Sequence, residues 1–142
     1  MPIEWPGGVA SDMSVTVEDN TGNPIRILEA DAPYNIKITW TVPAAFVGIL
    51  GGSGSSFRLR VYAESIGPGQ EQQIGPTEIV PENGGGAYDK KVLVNANTLV
   101  GESLGVSGVY KIVAVLQLLN GAGVANDVSG FAEAPLRLFR LP

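Results

Sequence analysis

Hydrophobic and polar residues alternate with a period of two through most of the chain. The longest such run, residues 108–120 (GVYKIVAVLQLLN), puts Tyr110, Ile112, Ala114, Leu116 and Leu118 on one face. Lys111, Val113, Val115 and Gln117 take the other. β-Branched and aromatic content marks this run as a strand rather than a short buried helix. Its first face is apolar apart from one phenol, which predicts a core. Its second is mixed, as expected of an outer face in the middle of a sheet.

Other runs repeat the pattern around it. Residues 34–42 point Tyr34, Ile36, Ile38, Trp40 and Val42 inward. Residues 57–64 point Phe57, Leu59, Val61 and Ala63 inward and Arg58, Arg60 and Tyr62 outward. Weaker strands are predicted over 13–18, 25–28, 72–80 (broken by Gly75 and Pro76), 88–96 and 131–141. Turn compositions separate them, such as DNTGNP at 19–24 and PENGGGA at 81–87. Residues 1–12, with two Pro and two Gly around Trp5, read as an arm before a domain spanning 13–142. Residues 44–56 read as a long connection, apolar and then flexible, and no helix is predicted. Seven to eight short strands at even spacing predict one all-β domain, an antiparallel sandwich or barrel. A chain of 142 residues suffices to bury its core without staples.

The strand order resembles the immunoglobulin and fibronectin type III group of β-sandwiches. Strand A is then 13–18, B 34–42, C 57–64, C′ or D 72–80, E 88–96, F 108–120 and G 131–141. Tyr110, at the head of F, resembles the tyrosine-corner position, which implies a phenol bonded to backbone of the E–F connection. Both signature cysteines are missing and Trp40 falls on B rather than C. The resemblance is therefore one of fold, an immunoglobulin-like sandwich, and fold does not give function.

Composition narrows the chemistry. There is no His and no Cys, which removes triads, Cys–His dyads and zinc ligation within one chain. Glu64, Glu78 and Asp89 are the carboxylates inside strands, with no motif joining them, so no enzyme is expected. Glu18, Asp19, Asn20, Asn23, Glu29 and Asp31, and separately Asn126 and Asp127, are loop oxygens of the kind calcium takes. The EF-hand spacing is missing, and turn geometry accounts for such residues at hairpins. The Gly-rich stretch 51–56 lacks the GK[ST] ending of a phosphate loop. No cofactor is expected. The N-terminus carries no secretory signal pattern, and no run approaches the ~18 apolar residues of a membrane span.

Charge says more. Only 16% of residues are charged, against roughly 25% in a typical soluble domain. So sparse a charge fits either a Gly- and Ser-rich surface that stays soluble or a surface partly covered by other subunits. A net charge of −5 argues against nucleic acid as a partner. If C, F and G share a sheet, its outer face carries Arg58, Arg60, Tyr62, Lys111, Val113 and Val115, with Arg137 or Arg140 added by register. Five of the nine basic residues lie on these three strands. An apolar centre with a cationic rim suits an acidic protein surface, such as another copy's loops. Phe46, Ile49 and Leu50 form a second candidate contact, unless they fold back over one end of the sandwich. The expectation is a non-catalytic structural or adaptor domain, acting by protein–protein association as a subunit of a homo-oligomer or larger assembly. The alternative is a carbohydrate-binding module using Trp5, Phe46 or Tyr88, with or without calcium.

Overall fold

The computed structural model describes residues 2–69 and 71–139, apart from the side chains of Pro2 and Asp127. Among these are nine strands: β1 (Pro2–Trp5), β2 (Val9–Asp19), β3 (Ile27–Glu29), β4 (Tyr34–Thr41), β5 (Ser56–Ser65), β6 (Glu71–Pro81), β7 (Ala87–Val94), β8 (Val109–Leu119) and β9 (Ala125–Phe139). One α-helix, α1 (Ala44–Leu50), lies between β4 and β5, and a single 3-10 turn (Pro6–Gly8) separates β1 from β2. Arg140 and Leu141, included in the predicted last strand, lie outside the described residues.

The fold is an all-β, immunoglobulin-like sandwich. One sheet runs β6-β5-β8-β9 and the other β2-β4-β7, with β1 joining them between β9 and β2. These pairings are antiparallel; β3 alone runs parallel, along the end of β9. The inward faces of β4, β5 and β8 are buried as their alternation predicts: Ile38, Leu59, Val61, Ile112, Ala114 and Leu116 are inaccessible, and Trp40 nearly so. Trp40 stacks on Tyr88 (ring centroids 5.5 Å apart, 8° between planes) and meets Phe57 edge-on. The Tyr110 hydroxyl donates to the Val100 carbonyl at 2.6 Å, which is the backbone bond implied for a tyrosine corner.

Two segments differ from expectation. Residues 2–12, read as an arm, form β1 and the start of β2. Ile3 and Trp5 keep the period-two pattern and both are buried. Trp5 Nε1 donates to Ser11 Oγ at 2.8 Å, and Ile3 and Glu4 pair with Gly130 and Ser129 of β9. A four-residue strand enclosed by Pro and Gly has little local signal, and here tertiary pairing supplies the rest. The connection after Pro43 contains α1, which is too short to be stable alone. Packing holds it: Leu50 is buried and Phe46 stacks on Trp5 at 5.0 Å.

The ends of the strand path, β6 and β7, lie against each other. Lys90 of β7 reaches Glu78 of β6 at 3.7 Å. Gly75, at φ 69°, comes so near that a Cβ there would lie 2.6 Å from Val92 Cγ1. On the other side of the sandwich, β9 pairs with β1 through Ser129 and Gly130 and with β3 through Arg137–Phe139. Between those contacts lies a short stretch that includes Glu133 and Pro135.

Candidate functional site

Strands β5, β8 and β9 are neighbours in one sheet, so the three strands proposed to carry an association face do share it. Their registers set four rows across the outer surface. Arg58, Gln117 and Ser129 form the first, and Arg60, Val115 and Phe131 the second. Tyr62, Val113 and Glu133 form the third, and Glu64, Lys111 and Pro135 the fourth. The period of two that buries one side of each strand leaves these residues on the other. Tyr62, Val113 and Val115 are half-buried by their neighbours, while Phe131 is 47% exposed. A hollow of about 470 Å³ opens here, lined by Glu4, Val113, Val115, Ser129, Gly130 and Phe131.

The charges are arranged differently from the expected cationic rim. Lys111 Nζ lies between Glu64 (3.2 Å) and Glu133 (3.7 Å). The hydrogen bond to Glu64, and then the charge of Glu133, raise the lysine pKa. Arg137 Nη2 bonds Glu102 at 2.8 Å, away from the apolar centre. Arg58 bonds the Gln117 amide oxygen, and its Nε is buried without an acceptor among the described residues. Neither Arg58 nor Arg60 has a carboxylate partner among the described residues. Cationic and acidic groups therefore sit at opposite ends of the face, because Glu64 lies opposite Lys111 in register and Glu133 reaches it diagonally from the next row. Arg140 lies outside the described residues.

The sequence reading left out Phe131 and Glu133. Their outward orientation follows from alternation with Ala132, Leu136 and Leu138, which are buried, but Ala and Pro blur that pattern in FAEAPLRLFRL.

The other candidates are dispersed. Of Phe46, Ile49 and Leu50, Leu50 is buried and Phe46 covers Trp5, so among these three only Ile49 remains well exposed, at 68%. Trp5 and Tyr88, offered as sugar-stacking aromatics, are buried with their rings against Phe46 and Trp40. Glu64 is engaged by Lys111, Glu78 by Lys90, and Asp89 lies on the other sheet beside Thr39 in register. No cluster of three acidic side chains occurs among the described residues. Asp19 Oδ1 accepts from Thr21 Oγ1 (2.7 Å) and from the amides of Thr21 and Asn23 (both 2.9 Å). The Thr21 hydroxyl, followed by the backbone amide of Asn23, lowers its pKa. Glu18 is buried with Lys91 at 3.0 Å. The oxygens proposed for calcium at Glu18 and Asp19 thus already serve a hairpin and an ion pair. Among the described residues no helix is long and apolar enough to cross a membrane.

No protein-family model matches the sequence, and no curated protein matches it. Solved structures do. The chain is similar to the CARDB domain of a Pyrococcus furiosus protein, solved in complex with di-metal ions. Identity is 11% and the TM-score 0.48, over 92% of this chain and 96% of that one. It is also similar to part of a beta-glucosidase from Listeria innocua. In the glucose complex identity is 9% and the TM-score 0.49, over 94% of this chain and 17% of that one. In the gluconolactone complex identity is 12%, the TM-score 0.48, and the two shares are again 94% and 17%.

Proposed function

We propose that the chain is a non-catalytic structural or adaptor domain that acts through protein–protein association, as a subunit of a homo-oligomer or larger assembly. The observation that carries this reading is the outer face of β5, β8 and β9. Val113, Val115, Phe131 and Tyr62 form a continuous apolar patch around a hollow, bordered by charge. Apolar patches rimmed by polar groups are characteristic of contact surfaces. The absence of His and Cys and the separation of Glu64, Glu78 and Asp89 support a role without catalysis.

The test is absolute molar mass by light scattering across a concentration series. Wild type is expected to rise above the monomer mass. Val113→Asp, placing a charge at the centre of the patch, is expected to stay monomeric with an unchanged circular dichroism spectrum. A wild type that remains monomeric throughout, or a Val113→Asp protein that associates like wild type, refutes the reading.

A further inference from the structure

The association face carries its charges as a dipole along the strands. Arg58 and Arg60 occupy one end without carboxylate partners among the described residues, with Glu4 at the far side of the same end beyond Ser129. At the other end Glu64 and Glu133 share the single cation Lys111, leaving one carboxylate in surplus. The apolar residues lie between. A surface that is cationic at one end, acidic at the other and apolar in the middle is complementary to itself when turned end for end. From this, and resting on the association reading above, we infer that the partner of this face is a second copy of the same face, related by a two-fold axis perpendicular to the strands.

Such an isologous contact sets each row against its mirror row in the partner. Arg58 of one copy meets Glu64 of the other, and the reciprocal pair forms by symmetry. Arg60 lies over the partner's Tyr62, where a guanidinium stacks on a phenol ring. Val115 packs against the partner's Val113. With the axis along the strands instead, Glu133 would oppose Tyr62, Arg60 would oppose Phe131 and no opposite charges would meet, so the perpendicular axis is favoured. Size also bears on strength. Three strands ~4.8 Å apart and seven residues at ~3.4 Å each give a plan area of roughly 340 Å². Each partner in a standard interface buries about 800 Å². The dimer is therefore expected to be weak and concentration-dependent, with its charges setting register more than strength.

The test is charge reversal with exchange. Arg58→Glu and Glu64→Arg each place like charges opposite one another twice per dimer, and each is expected to weaken dimerisation at least ~10-fold. The 1:1 mixture of the two variants restores both attractive pairs and is expected to form a heterodimer. The double variant restores them within a homodimer. Residues 58 and 64 are ~20 Å apart along one strand, so recovery cannot come from pairing within a chain. Sedimentation velocity at matched concentrations reads all four samples, and thermal melts of each variant check that the monomer is folded. Restoration in the mixture and the double variant supports the two-fold contact. Weakened single variants without restoration overturn it, while leaving association intact if Val113→Asp also prevents assembly. Single variants that dimerise like wild type overturn it as well. A wild type that never dimerises overturns both readings.

Discussion

Two buried tyrosines at neighbouring strand heads offer a controlled comparison. Tyr110 opens the core face of β8 and Tyr34 that of β4, and both are essentially inaccessible. Their environments differ in one respect. The Tyr110 hydroxyl donates a 2.6 Å bond to the Val100 carbonyl, whereas the Tyr34 hydroxyl has no hydrogen-bond partner among the described residues. Replacing either by Phe removes one oxygen and leaves the ring. For Tyr110→Phe the loss is a buried hydrogen bond anchoring the β7–β8 connection, at a cost of about 1.5 kcal/mol. For a domain of this size that is a fall in Tm of about 5 °C. For Tyr34→Phe the lost group is a hydroxyl buried without compensation, whose removal is expected to raise stability by about 1 kcal/mol. Urea denaturation followed by tryptophan fluorescence reads both. Equal destabilisation by the two substitutions would refute the reasoning, since it would mean that ring packing and not the bond to Val100 distinguishes the corner.

The same tyrosines set an alkaline limit. Burial, and to a lesser extent the neighbouring Tyr110, hold the Tyr34 pKa well above the ordinary value, and burial also raises Tyr110. A folded-state pKa above the unfolded one means that the folded chain retains the proton. Stability is then complete below pH ~10 and falls by about 1.4 kcal/mol per pH unit per group above it. Denaturation midpoints measured from pH 9 to 11.5 should fall less steeply for Tyr34→Phe than for wild type. Trp40→Ala, which removes the ring packed on both Tyr88 and Phe57, should cost about 3–5 kcal/mol by urea titration; a loss under about 1 kcal/mol would contradict the packing. Gly108→Ala should destabilise by more than about 2 kcal/mol in the same assay. Its φ is 72° and the added Cβ would lie 2.5 Å from both Glu102 N and Leu138 O.

Much of this architecture is legible in the sequence because alternation is a direct record of burial. Residues 34–42, 57–64 and 108–120 each carry one continuous apolar face, and a shift of register by one would expose that whole face. The role of Tyr110 is legible through the resemblance to immunoglobulin-like sandwiches, which implies a phenol bonded to backbone at the head of this strand. What escapes is whatever depends on another segment for its form. AAFVGIL becomes α1 because Leu50 and Phe46 have a core edge and Trp5 to cover. PIEW becomes β1 because β9 and β2 supply pairing on both sides. The candidate face was half legible. Its strands and the Val113–Val115 stripe follow from alternation, but the neutralisation of Lys111 by Glu64 and Glu133 requires cross-strand register, which no single stretch encodes.

The two ends of the strand path have a consequence for how copies of this chain can aggregate. β1 joins the sheets on one side, while on the other β6 and β7 approach without pairing, and their open edges carry Gly75 and Pro76 on β6 and Asp89, Lys90 and Lys91 on β7, which disfavour strand addition. The stretch of β9 between β1 and β3 carries Glu133 and Pro135, a charge and a residue without an N–H, both unfavourable to strand addition. Templated fibril growth is thereby disfavoured even in a protein so poor in charge. What remains is contact between side-chain faces, which obeys mass action and reverses on dilution. Concentrated solutions should accordingly disperse when diluted and should not seed further growth.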